Sequence, residues 1–168
     1  MSFKNIFSIQ LAAIFLLTII SFSTNAAGDT NVVHIPNHTI NNLRLDKLIK
    51  QQAEVIKSQL GYWELKFENR YIIIVTDETH NRMRIISAII EEKKIKKNEL
   101  IVLLSANFDK ALDAKYAIYN GYLWSVFTHP FGELEDEQFI DALKQVKTLA
   151  DNYGGSYTSS DLIFGGGK

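Results

Sequence analysis

The sequence predicts an α+β domain in which three helices cover an antiparallel five-stranded sheet, in the order α-β-β-β-α-β-β-α. Three observations carry that expectation. Asn120-Gly121 separates two apolar runs, 115–119 and 122–127, and supplies the two positive-φ residues that a type I′ hairpin turn requires. Upstream, Trp63, Leu65 and Phe67 alternate with charged residues, 71–75 is continuously apolar, and Met83 and Ile85 alternate with Arg82 and Arg84, the pattern of a three-strand meander. Segments with helical apolar spacing lie between and around these runs, so the strands are joined by hairpins and not by crossover units.

The first 26 residues are of another kind. Lys4 is followed by an uncharged apolar run from 6 to 22 and by the small residues Ala26-Ala27, the layout of a cleaved secretory signal. Its removal takes Lys4 away, lowers the net charge from −1 to −2, and leaves no stable membrane span. No cysteine occurs in the 168 residues, which rules out disulfide, thiolate and zinc-cysteine chemistry as well as lipidation of a cysteine. The near-balanced charge gives no electrostatic footprint for nucleic acid. The expected address is the periplasm of a Gram-negative bacterium, or secretion.

Residues 27–42 read as a polar linker containing Pro36. His34 and His38 have a helical metal-ligand spacing, but the proline between them argues against a helix and no further ligands accompany them. The domain proper is expected at 43–155. Leu45, Leu48, Ile49, Ala53, Ile56 and Leu60 recur at helical spacing up to Gly61, predicting one helix over the whole stretch. After the meander, the mixed charge run 91–97 leads to Asn98, a suitable N-cap. Leu100, Ile101, Leu103, Leu104, Phe108, Ala111 and Leu112 then make a wide apolar face, which predicts that this is the most buried helix. Following the hairpin, His129-Pro130 stops the strand, and the carboxylates within 133–137 stand where a helix macrodipole favours negative charge. The last helix shows Phe139, Leu143, Val146, Ala150 and Tyr153 on one stripe and ends at Gly154-Gly155. Residues 156–168 read as a flexible Gly/Ser-rich tail with an apolar island, Leu162-Ile163-Phe164.

The turn fixes the hairpin register, with Tyr119 opposite Tyr122, Ile118 opposite Leu123, Ala117 opposite Trp124 and Tyr116 opposite Ser125. Both faces are then largely apolar, and helices of the chain can cover only one of them. The candidate interaction surface is Tyr119, Tyr122 and Trp124, with Trp63 beside it; large aromatics of this kind supply much of the energy at protein interfaces. Of the chemistry-bearing side chains, His80 or His129 with Asp77, Glu78 or Glu133 could form a small hydrolytic or metal-dependent centre if a cleft brought them together. An apolar ligand held between helices and sheet is a further alternative. No metal site, cofactor site or catalytic motif is predicted.

The stretches Leu103-Leu104-Ser105-Ala106-Asn107-Phe108 and Ala114-Lys115-Tyr116-Ala117-Ile118-Tyr119-Asn120-Gly121-Tyr122-Leu123-Trp124, with the run 139–154, resemble the YbjN-type family, described as sensory transduction regulators. That family is similar in fold to the class I type III secretion chaperones. The resemblance spans 43–154 and implies the helix and strand order above, a dimer, and apolar patches that hold an extended segment of a partner protein; it implies no catalytic residues. Unlike those chaperones, this chain is not markedly acidic. The expected function is a non-enzymatic, periplasmic, protein-binding or chaperone-like module that forms a homodimer.

Overall fold

A computed structural model describes residues 40–162; the signal-like stretch, His34, His38 and most of the apolar island lie outside them. The elements are α1 (Asn42–Gln52), β1 (Glu54–Gln59), β2 (Tyr62–Phe67), β3 (Arg70–Asp77), β4 (Arg82–Glu91), α2 (Lys97–Asp109), β5 (Lys115–Tyr119), β6 (Tyr122–His129) and α3 (Asp136–Asp151). The strands form one six-stranded sheet in the order β1-β2-β3-β4-β6-β5, and every neighbouring pair is antiparallel. The α+β class and the hairpin connections are as predicted, with one strand more.

That strand comes from the segment predicted as the end of the first helix. α1 stops at Gln52 because Ala53 is extended (φ −148°, ψ 159°) while its N–H still reaches the Ile49 carbonyl. Leu60-Gly61 then turns the chain, with Gly61 at φ +82°, and β1 pairs with β2 from Glu54↔Lys66 to Gln59↔Tyr62. The apolar residues Val55, Ile56 and Leu60 match a helical period, but β-branched residues favour extended backbone and the outer edge of β2 offers a ladder of hydrogen bonds that a longer helix would leave unmade. Ile56 and Leu60 are 50% and 71% exposed, so the helical reading buried residues that the sheet edge exposes. The register slips at Val55/Lys57, a bulge of the kind that blunts an open edge.

The sheet has one covered face. Trp63, Leu65, Phe67, Ile72, Ile74, Met83, Ile85, Leu123 and Phe127 are all buried on it, against Phe139, Ala142, Leu143, Val146 and Leu149 of α3 and Leu45 and Ile49 of α1. The Trp63 indole N–H donates to Asp46 Oδ1 at 3.0 Å, and the Arg44 guanidinium takes both oxygens of Asp136 at 2.9 Å each. These bonds tie α1 to β2 and to the start of α3. Arg44 and Asp136 are each more than a third exposed, so that pair adds at most about 1 kcal/mol. On the far side Arg70 reaches Asp151 and the Ala150 carbonyl.

α3, and not α2, is the most buried helix. Seven of its residues are buried, against Leu103 and Ala106 alone in α2. α2 lies at the β5 edge of the sheet, where only one of its sides meets the protein. The Asn107 amide accepts from the Tyr116 N–H at 2.7 Å and donates to the Tyr116 carbonyl at 3.0 Å, as a neighbouring strand would. Lys115 donates to the carbonyls of Asn107, Ala111 and Leu112 at 2.7–2.9 Å, satisfying groups that a helix C-terminus leaves without partners. At the other end, Glu99 reaches back to the Lys96 N–H at 2.7 Å, so α2 begins one residue before Asn98, which is not its N-cap.

The chain beyond α3 folds back on the same corner. Tyr157 meets Tyr116 and Tyr153 edge to face at 6.2 and 6.3 Å, and Ser159, 2% exposed, accepts from the Leu112 N–H at 2.6 Å. Residues 156–159, read from sequence as the start of a flexible tail, are therefore packed on the domain.

Candidate protein-binding surfaces

Residues directly opposite one another in a ladder share a face, so the register maps the second side of the sheet. Glu64, Ile73, Ile86, Val126 and Lys115 form one row across it. Ala88, Trp124 and Ala117 form the next, on the side of Tyr71 and Lys66. Val75, Arg84 and Thr128 form a third on the other side. No helix among the described residues packs on these rows, and Tyr71 and Val75 are 40% and 37% exposed. The face is apolar at its centre because 71–75 is apolar at every position, while α1 and α3 cover only the side of Ile72 and Ile74.

The aromatic tip of the β5–β6 hairpin borders this face. Asn120 and Gly121 have φ of 49° and 74°, and the four cross-strand pairs of the predicted register are all present. Tyr119 is 57% exposed. Tyr122 and Trp124 are half-buried and meet edge to face at 6.3 Å. The Trp124 indole N–H donates to the Tyr119 carbonyl at 2.9 Å, so its polar edge is satisfied within the hairpin and its ring remains for apolar contact. Three of the four predicted surface residues thus come together. Trp63 does not join them: it points to the covered face, is 1% exposed and is held by Asp46.

A second apolar surface was missed. Ile101, Leu104 and Phe108 follow one another along the outer side of α2 and are 66%, 68% and 89% exposed. The inner stripe, Leu100, Leu103, Ala106 and Asn107, is offset from it by one position. The two stripes read together as one wide face; the signal that separates them is that an edge helix can dock only one side, so apolar residues on two sides mean two different covers.

The residues expected for a hydrolytic or metal-dependent centre each have local partners. Asp77 accepts from the His80 backbone N–H at 3.0 Å and meets its ring at 2.7 Å. These bonds hold the Asp77 carboxyl below its usual range. Glu78 caps α1 through the Asn42 N–H at 2.8 Å. Asn81 donates to both oxygens of Glu133 at 3.0 and 2.8 Å, and His129 stacks on Phe127 at 5.9 Å. Among the described residues no group of three His, Asp or Glu could hold a metal ion. A depression of about 650 Å³ is lined by Asp113, Glu137, Asp141 and Gln145; Gln145 fills its hydrogen-bonding capacity with Asp113, Ala114 and Asp141.

Neither protein-family models nor curated proteins give a match. Among solved structures, the Yersinia pestis type III secretion chaperone SycH, in complex with a stable fragment of YscM2, superposes with a TM-score of 0.50 at 11% identity, over 66% of this chain and 97% of that one. The HopA1-SchA chaperone-effector complex matches with a TM-score of 0.43 at 13% identity, over 64% of this chain and 90% of the other. The fold is that of a type III secretion chaperone. At such identities the likeness concerns the fold alone.

Proposed function

We propose that this chain is a non-enzymatic, protein-binding module with a chaperone-like role, which holds an extended segment of a partner protein on the open face of its sheet. The observation that carries this reading is the apolar centre of that face, where Ile86, Val126, Ala88 and Trp124 are half-buried and surround Ile73, 6% exposed among them. A continuous apolar patch of this kind on a folded domain marks an interaction site, and an extended segment presents its side chains at the spacing of the rows beneath. The SycH structure, of the same fold, was solved with a protein fragment bound, which supports the reading by analogy. The module works as a homodimer through the outer stripe of α2, in the periplasm to which residues 1–26 direct it, as a member of the YbjN-type group its sequence resembles.

Trp124 provides the test. In a Trp63→Phe variant it is the sole tryptophan, and titration with a synthetic extended peptide of alternating apolar and serine residues should shift its emission to shorter wavelength in a saturable way. The same chain should slow the aggregation of an unfolded client protein. An emission spectrum that never moves, together with no effect on aggregation, would remove the reading.

A further inference from the structure

Resting on the open face as a peptide-binding surface, we propose that the segment it holds carries a carboxylate followed at alternate positions by two apolar side chains, the carboxylate meeting Arg84. Most of the charges of this face stand opposite one another in the ladder, Glu54 against Lys66 and Asp77 against Arg82. Glu64 accepts from the Tyr62 hydroxyl at 2.5 Å and stands 4.0 Å from Lys57 Nζ. Asp77 is bound to His80 at 2.7 Å, and Glu91 is 2.9 Å from Lys93 and 3.7 Å from Lys94. Arg82 donates to the Asn81 carbonyl at 2.8 Å opposite Asp77, and Lys66 lies opposite Glu54, whereas Arg84 is exposed between Val75 and Thr128, with no ion pair formed to it among the described residues. Arg84 is therefore an exposed cation of this face with no carboxylate opposite it in the ladder.

Its placement sets the order of the bound segment. Arg84 lies between Val75 and Thr128. The next row along β4 is Ile73–Ile86–Val126, and the one after it holds Ala88, Trp124 and Ala117. Rows on one face are two residues apart, about 7 Å, so side chains i, i+2 and i+4 of an extended segment fall on Arg84, then Ile86, then Ala88 and Trp124. A wholly apolar segment would cover the Arg84 guanidinium without a partner, and a basic one would repel it; both are costly when water is excluded. A carboxylate at position i turns that cost into a charge-assisted hydrogen bond.

Two fluorescein-labelled peptides test this, one with Glu, Ile and Leu at alternate positions separated by serine, the other with Lys in place of Glu, by anisotropy with the unmodified chain and with Arg84→Glu. Arg84 is exposed, so the substitution leaves the fold intact; a circular dichroism melt checks that. The Glu peptide should bind the unmodified chain about five- to ten-fold more tightly than the Lys peptide, the order should reverse for Arg84→Glu, and high salt should flatten both differences. Equal affinities for the two peptides in both chains would overturn the charge rule and leave the peptide-binding reading standing, whereas no binding of either peptide would take both down. Charge-dependent capture by phosphatidylglycerol vesicles with no discrimination between peptides would overturn it in favour of an anionic membrane surface.

Discussion

Phe108→Lys separates what α2 does inside one chain from what it does between two. Phe108 is 89% exposed, so replacing it removes almost no contact within the domain. Lysine is the better helix former, and near the C-terminal end of α2 it complements the macrodipole by a few tenths of a kcal/mol. The stability of the single chain should stay within about 0.5 kcal/mol of the original. Association is a different matter. A phenylalanine surface of about 200 Å², buried at about 25 cal/mol per Å², amounts to roughly 5 kcal/mol from each copy before ordering costs, and a charge in its place has to be desolvated. Sedimentation velocity over a wide dilution series should show a dimer for the original chain and a dissociation constant raised at least about a hundred-fold for Phe108→Lys, given that only part of that gross energy survives. Leu103→Ala provides the contrast, because Leu103 is 4% exposed on the inner stripe and its truncation should cost about 2–5 kcal/mol. If Phe108→Lys melts as early as Leu103→Ala, the outer stripe is covered by the chain itself; if it associates as well as the original, α2 is not the dimer contact.

Asn107→Ala should cost about 1–3 kcal/mol in urea unfolding, since it leaves the Tyr116 N–H and carbonyl at the β5 edge without partners, and a loss below about 0.5 kcal/mol would show that water replaces the amide there. The acid limb should depend on Asp151. Burial tends to raise its pKa, but the bonds from Lys147 and Arg70 outweigh that and hold it below the usual value. A carboxyl depressed in the folded state contributes stability above its unfolded pKa of about 3.9 and loses it as pH falls through the lower folded value. Stability should therefore decline below about pH 4, and Asp151→Asn should show lower stability at neutral pH with a shallower acid decline; an unchanged acid slope would mean that other carboxylates carry it.

The β5–β6 hairpin was fully legible because its determinants are local. Asn120-Gly121 allows one turn type, that turn allows one register, and all four predicted pairs are in place. The meander was legible for the same reason, its two-residue period being visible in Trp63, Leu65, Phe67, Met83 and Ile85, each of which is buried on the covered face. β1 was not legible. Val55, Ile56 and Leu60 satisfy a helical period as well as a strand, and the deciding interaction is with β2, whose free edge the local sequence does not announce. Asn98 was a sound N-cap type, yet Glu99 set the helix start two residues earlier, with Lys96 as the N-cap.

The candidate site divides along the same line. Tyr119, Tyr122 and Trp124 are brought together by the hairpin itself, so their cluster followed from sequence. Trp63 shares their character but belongs to the core, because its alternation places it on the face that α1 and α3 cover. The burial of α2 was misjudged for a related reason: composition shows how much apolar surface a helix has, not how many of its sides meet a neighbour. The sequence by itself determined the α+β class, the hairpin register and the excess of apolar surface over what its helices could cover. Only the tertiary structure decided where that excess lies, on the outer side of α2 and the open face of the sheet, because coverage depends on which elements become neighbours, and pairing across long sequence separations sets that.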